Sequence, residues 1–192
     1  MKYQFYCDMD NVLCDFESGA LSIMNDALAN PEKYGGEIPT LVANSIEEVG
    51  KIVLTKEDIV IGTPNKEVRK LMKALVKYNR DFWANLGWNP GGKEIWNAIK
   101  DYNPYILSAP MGESEECKAG KRDWIRKNLT PAAKRIILDD EKWKYTSEGD
   151  KTGVLIDDLW SNIRDYRKHG GIGVHHKALP VTLRLIQTYK GK

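Results

Sequence analysis

The chain has 192 residues, enough for one well-buried core and a modest insertion. Its 29 Lys and Arg against 27 Asp and Glu leave a formal charge of +2, so no strongly basic surface calls for extended nucleic acid as a partner. No apolar stretch approaches the roughly 20 residues of a membrane span, and no secretory h-region follows Met1. Three cysteines (Cys7, Cys14 and Cys117), odd in number and without metal-site spacing, read as reduced thiols of a cytoplasmic protein.

The first element is a short, aromatic-rich run, Lys2 to Cys7, which reads as a buried strand. Asp8 and Asp10 follow directly, separated by one residue. Alternate side chains of an extended segment face the same way, so the two carboxylates can serve one site. Two buried anions side by side require compensation by a cation or by protons.

Phe16 to Leu28 carries apolar residues at helical spacing (Phe16, Ala20, Ile23, Met24, Ala27), and Asn30-Pro31 ends that helix. The next seventy or so residues show no core strand. Turn signals recur at Gly35-Gly36, Gly62-Thr63-Pro64 and Asn89-Pro90-Gly91-Gly92. Between them lie helical patterns, weak over Ser45 to Val53 and clear over Asn65 to Tyr78, where Val68, Leu71, Met72, Leu75 and Val76 share a face. Residues 16–88 therefore read as a mostly helical insertion, a cap, in a core made of residues 1–15 and 89–192.

From Gly92 onward strands alternate with helices. Helices are expected over Lys93 to Tyr102, Glu113 to Leu129, Leu159 to Lys168 and Pro180 to Tyr189. Strands are expected over the run ending at Ser108, over Arg135 to Leu138, Gly153 to Ile156 and Ile172 to His175. This alternation predicts an α/β fold, a parallel sheet covered on both faces, with ligands outside the carboxyl ends of its strands. The polar residues at those ends agree in type: Asp8 and Asp10, then Ser108, then Asp157-Asp158 after the hydrophobic Val154-Leu155-Ile156. Four carboxylates form an oxygen-only site for a hard cation such as Mg2+. A helix-capping role accounts for at most one of the last pair. The basic cluster Lys118, Lys121, Arg122, Arg126 and Lys127 reads as a solvated helix face. His175-His176 receives no role, because neighbouring side chains on an extended segment point apart.

Asp8-Met9-Asp10-Asn11-Val12-Leu13-Cys14-Asp15-Phe16 resembles the first motif of the haloacid dehalogenase-like phosphatases, in particular the 5′(3′)-deoxyribonucleotidase branch. Ile106-Leu107-Ser108-Ala109-Pro110 resembles the second motif and Asp157-Asp158 the fourth. For the third, a lysine, Lys118 and Lys121 compete, and Gly120-Lys121-Arg122-Asp123-Trp124 is the better match. Phe82-Trp83-Ala84-Asn85-Leu86 resembles the stretch leading out of the deoxyribonucleotidase cap. Many relatives carry glycine where this chain has Asn11, a residue that tolerates positive φ better than most. The resemblance implies a Rossmann-like core with a five-stranded parallel sheet and a small helical cap inserted after the first strand.

It also implies roles. Asp8 would be the nucleophile and Asp10 the general acid and base, with Ser108 and Lys121 holding the transferring oxygens. Asn11 and Ala109 would add backbone N–H groups. Mg2+ would be bound by Asp8, the backbone carbonyl of Asp10 and one or both of Asp157 and Asp158. The substrate would be a small phosphorylated molecule, a deoxynucleoside monophosphate first. Phe16, Phe82, Trp83 and Trp88, in or near the cap, are the aromatic residues able to stack on its base, worth about 1–3 kcal/mol, with Trp83 preferred. Most of them read equally as the cap's own small core. A nucleic-acid 3′-phosphate end or a sugar phosphate is the alternative substrate, and a binding module without catalysis the alternative function. Monomer and homodimer both remain open.

Overall fold

Residues 2–59, 65–129 and 135–190 are described by the computed structural model; the expected turn at Gly62-Thr63-Pro64 lies outside them. Six strands form one sheet: β1 (Tyr3–Cys7), β2 (Tyr105–Ser108), β3 (Ile136–Leu138), β4 (Ser147–Glu148), β5 (Lys151–Asp157) and β6 (Ile172–His175). Five of them run parallel in the order β3-β2-β1-β5-β6. The two-residue β4 pairs antiparallel with the start of β5. The chain thus lays β2 and β3 on one side of β1, then crosses to place β5 and β6 on the other. That reversal makes the carboxyl end of β1 the topological switch point.

The strands are buried because both sheet faces are covered. Phe5, Cys7, Ile106, Val154 and Ile156 are fully enclosed. Tyr6, Leu107 and Leu155 pack instead with Ile163 and Tyr166 of α8 (Trp160–Lys168). Near-continuous apolar strands such as Val154-Leu155-Ile156 are what two covered faces demand.

The chain divides into two compact units. The first comprises residues 1–15, 87–110 and 122–192; the second comprises residues 16–86 and 111–121. The first unit holds the sheet with α6 (Gly92–Ile99), α8 and α9 (Leu179–Tyr189). The second holds α1 (Phe16–Ala29), α2 (Ile38–Val49), α3 (Lys56–Ile59), α4 (Lys66–Val76) and α5 (Arg80–Ala84). The helix α7 (Glu115–Asn128) contributes residues to both. Beyond the range 16–88, residues 111–121 also group with the helical unit.

Most expected elements occur within a residue or two. The helix expected over Ser45 to Val53 is instead α2, which starts seven residues earlier with a proline in its first turn and stops at Gly50. Gly50 has φ 64° and donates its N–H to Ile46 O, a left-handed cap that ends the helix. α5 was not expected. Asn79 creates it by accepting the Phe82 N–H on its side chain at 2.9 Å, so the helical pattern that stops near Tyr78 restarts at once.

Among the described residues no helix is long and apolar enough to cross a membrane.

Gly153 shows how closely β5 is approached. A Cβ there would collide with the Tyr166 hydroxyl and lie 2.7 Å from Tyr145 O, and that hydroxyl donates to the same Tyr145 O at 2.6 Å. Gly153→Ala should therefore cost about 1–3 kcal/mol by overpacking, read as a lower denaturant midpoint with an unchanged slope. An unaltered midpoint would mean the β5–α8 contact yields freely.

Candidate active site

Strand pairing brings the acids together. Cys7 lies opposite Ile156 on β5, and the next residue, Asp8, donates its N–H to Ile156 O at 2.9 Å. Asp8 and Asp157 thus leave adjacent strands side by side. Carboxylate oxygens of Asp8, Asp157 and Asp158 all lie within 4.8 Å of one another. Ser108 ends the other neighbour of β1, fully buried, and Ala109 follows it half-buried.

The loop after β1 is held by its own backbone. Leu13 and Cys14 N–H groups both donate to Met9 O at 2.9 Å, and Asn11 N–H donates to Cys14 O at 2.8 Å. Asn11 sits at φ 54°, in the left-handed region, where asparagine is among the better tolerated residues. Its carbonyl accepts the Asn89 side-chain amide at 2.7 Å, and its own amide points at Asp158 Oδ2 from 3.5 Å. The Cys14 thiol donates to Asp10 Oδ1 at 3.6 Å. Where the chain passes from one unit to the other, Asp15 N–H donates to Gly87 O at 2.9 Å, tying the outgoing and returning segments together.

At the centre of the acids stands a residue that sequence reasoning missed. Lys142, 2% exposed, places its ammonium 2.8 Å from Asp8 Oδ1 and 2.6 Å from Asp157 Oδ2. It belongs to a 3-10 turn, Lys142–Tyr145, in the loop that follows β3. That turn is pinned by Asp139, which accepts the Glu141 N–H at 2.8 Å and the Tyr145 hydroxyl at 2.9 Å. A usable signal was present: Ile136-Ile137-Leu138 runs into Asp139-Asp140-Glu141-Lys142, an apolar strand ending in polar residues at the sheet's functional end.

The charge balance is uneven. Burial opposes the charge on Lys142, but Asp8 and Asp157 outweigh it and hold the ammonium above its usual range. Burial, reinforced by Asp8, raises the Asp157 carboxyl despite Lys142. Burial, then Asp8 and Asp157, push Asp158 up to about 7. One ammonium does not satisfy three clustered carboxylates.

The donors also differ in how far they are already committed. Asp157 accepts Leu159 N–H at 2.8 Å and the Asn162 amide at 3.2 Å on Oδ1, and Asn162 at 3.0 Å and Lys142 on Oδ2. Asp158 is half-buried and has the Asn11 amide 3.5 Å from its Oδ2. An oxygen-only set with excess negative charge fits a divalent hard cation, with Asp8 and Asp158 as the carboxylates best placed to bind it and Asp157 as the residue that fixes Lys142.

The remaining candidates lie as follows. Lys118 pairs with Glu113 at 3.1 Å and Glu115 at 2.9 Å. Lys121 is fully buried within the second unit, its ammonium 4.8 Å above the Trp83 ring. Trp83 is 1% exposed; it stacks on Phe16 at 5.3 Å and donates its indole N–H to Val76 O at 2.7 Å. Phe16 is half-buried. His175 donates its Nε2–H to Asp158 O at 2.8 Å, and His176 bonds Thr182 Oγ1 at 2.9 Å through Nδ1. The two histidines face different partners, as adjacent strand residues must.

No protein-family model matches the sequence. The structure is similar to a HAD-superfamily hydrolase from Ehrlichia chaffeensis, at 14% identity and TM-score 0.55, over 96% of each chain. It is similar also to a hydrolase from Streptococcus pneumoniae, at 12% identity and TM-score 0.53, over 98% of this chain and all of that one. The chain has the fold of the haloacid dehalogenase-like hydrolases. At such identities the likeness is one of fold, and the chemistry has to be argued from the site.

Removing the ammonium tests the charge balance. Lys142→Met should lower stability by about 3–5 kcal/mol, because it leaves two buried carboxylates unpaired. Millimolar Mg2+ should restore more stability to this variant than it adds to the wild type. Unchanged unfolding curves would show that the acids are compensated elsewhere.

Proposed function

We propose that the protein is a Mg2+-dependent phosphomonoester hydrolase that works through an aspartyl-phosphate on Asp8. The observation that carries this reading is Asp8 itself. It sits at the switch point of a parallel sheet, bound to Lys142 and clustered with Asp157 and Asp158. A carboxylate held so close to two others is poorly explained as a structural residue, and it is well placed as a nucleophile.

Asp8 Oδ1 is held by Lys142 and by the Met9 N–H at 2.8 Å, which leaves Oδ2 to attack phosphorus in line. As the new O–P bond forms, the ester oxygen departs and takes a proton from Asp10. Water then attacks the aspartyl-phosphate; Asp10 removes its proton, inorganic phosphate leaves, and Asp8 is regenerated. Mg2+, held by Asp8, Asp158 and the Asp10 carbonyl, would neutralise phosphoryl charge. Lys142 orients Asp8. Ser108 and the Ala109 N–H are assigned to the transferring oxygens, whose charge is best spread over fixed donors. Lys121, buried against Trp83 in the second unit, and the Asn11 N–H, which donates to Cys14 O, are not.

For substrate we propose a deoxynucleoside monophosphate, on the aromatic content of the second unit. Phe16, Phe82 and Trp83 form one cluster there. Phe16, half-buried, is assigned to meet the base, and buried Trp83 stacks against it.

Asp8→Asn should fold normally yet lose phosphate release by on the order of a thousandfold or more, since an amide forms no acyl-phosphate. Chelation should stop wild-type turnover, and Ca2+ should inhibit because its longer, looser coordination misplaces Asp8. Substantial turnover by Asp8→Asn would remove the covalent mechanism, and turnover by chelated enzyme would remove the metal from the reading of the acidic cluster.

Phe16→Ala should raise KM for nucleotides while hydrolysis of a small aryl phosphate changes little, because stacking on a remote group is uniform binding. Trp83→Ala should do the same and in addition lower the melting temperature, as deletion of a buried indole costs about 3–5 kcal/mol. Equal losses on both substrates in Phe16→Ala would separate the aromatic cluster from base recognition.

A further inference from the structure

All three cysteines are buried, but their sulfurs meet different groups. Cys7 donates to a backbone carbonyl, Asp8 O at 3.3 Å, and Cys117 accepts the Met111 N–H at 3.4 Å. Cys14 donates instead to a side chain, Asp10 Oδ1, from 3.6 Å. That separation suits sulfur, a larger and weaker donor than oxygen. The loop brings the two residues together by closing on itself. Cys14 N–H donates to Met9 O at 2.9 Å, while Cys14 O accepts the Asn11 N–H at 2.8 Å. Cys14 also pairs with Trp88 of the returning segment, so its backbone is held from two sides. The thiol is 0% exposed, and Asp10 is half-buried.

A donor at this place matters to a carboxyl that must carry a proton. A protonated carboxyl has one O–H, and its other oxygen can only accept. The last torsion of an aspartate is broad and roughly two-fold, so an unrestrained carboxyl presents either oxygen. A hydrogen bond to Oδ1 removes that freedom. A thiol serves well here, because cysteine is buried at little cost and its S–H is a weak donor.

We propose that Cys14 is a positioning residue for proton transfer by Asp10. Its thiol turns the carboxyl so that Oδ1 accepts the S–H and Oδ2 carries the proton given to the departing ester oxygen. In the second step Oδ2 takes a proton back from the attacking water. Cys14 acts through Asp10 alone; its sulfur is neither nucleophile nor metal ligand. The inference rests on the proton-transfer role given to Asp10 in the function proposed above. It makes a demand that a merely structural cysteine does not. A good leaving group departs without a proton and a poor one needs it, so the effect of Cys14 depends on the leaving group.

The test compares wild type, Cys14→Ala and Cys14→Ser on an alkyl phosphate and on dinitrophenyl phosphate, a poor and a good leaving group. kcat/KM covers the steps up to departure of the alcohol or phenol. Cys14→Ala should lower it about tenfold or more on the alkyl phosphate and leave it within about twofold on the aryl ester. On the aryl ester kcat and KM should fall together, since hydrolysis of the aspartyl-phosphate still needs Asp10 as base. Cys14→Ser restores a donor at the same place and should recover most of the loss on the alkyl phosphate. Cys14→Val fills the space without a donor; it should behave as Cys14→Ala and decides the matter if that variant does not fold. Equal losses on both substrates, or no loss on either, would overturn the proposal. So would a Cys14→Ser variant no better than Cys14→Ala. If Asp8→Asn is inactive in the same assays, those outcomes leave the covalent mechanism standing. Wild type without phosphatase activity, or turnover by Asp8→Asn, would remove the mechanism and this inference with it.

Discussion

The first unit depends on holding three carboxylates within a few ångströms of one another at one end of a sheet. Such crowding is unfavourable in a low-dielectric interior unless each charge finds a partner. Lys142 supplies one, shared between Asp8 and Asp157, and backbone and side-chain N–H groups supply others to Asp157. What remains unmet is seen at Asp158, whose carboxyl stands near 7. The same imbalance that raises this carboxyl is what a divalent cation and a phosphate would resolve together.

Parallel strands make the crowding geometrically simple. Every carboxyl end points the same way, so residues just past Cys7, Ile156 and Leu107 become neighbours although they are far apart in sequence. The loops then do the finer work. Asn11 at positive φ turns the chain after Asp10, and a 3-10 turn anchored by Asp139 and Tyr145 directs Lys142 inward. Tyr166 bonds Tyr145 O and lies against Gly153, so α8, β5 and the lysine-bearing turn are linked through one side chain.

The second unit follows another logic. Its aromatic residues are shared among themselves, Phe16 stacked on Trp83 and Phe82 set edge-on to both. Its longest charge pattern lies on α4, whose apolar face is fully used in packing. One helix thus does two separate jobs, filling a core and presenting charge, because 3.6 residues per turn keep those faces apart.

Local chemistry determined much about this protein. The strand ending in Asp8-Met9-Asp10, the strand ending in Asp157-Asp158, the hydroxyl of Ser108 and the alternation of strands and helices were legible from periodicity and residue type, and with them the fold class. Asn11 was legible as a residue able to adopt positive φ. Other features were settled only by tertiary structure. Lys142 stood past the end of an apolar strand, but a lysine there is ordinarily solvated, and its burial follows from two anions brought to it by β1 and β5. The burial of Trp83 was equally hidden, since sequence distinguishes an aromatic residue but not which of its faces is covered. The shift of α2 arose from a left-handed cap at Gly50 that hydrophobic periodicity does not register. In each case the deciding interaction joins residues that the chain itself keeps apart, or depends on a backbone angle rather than on a side-chain pattern.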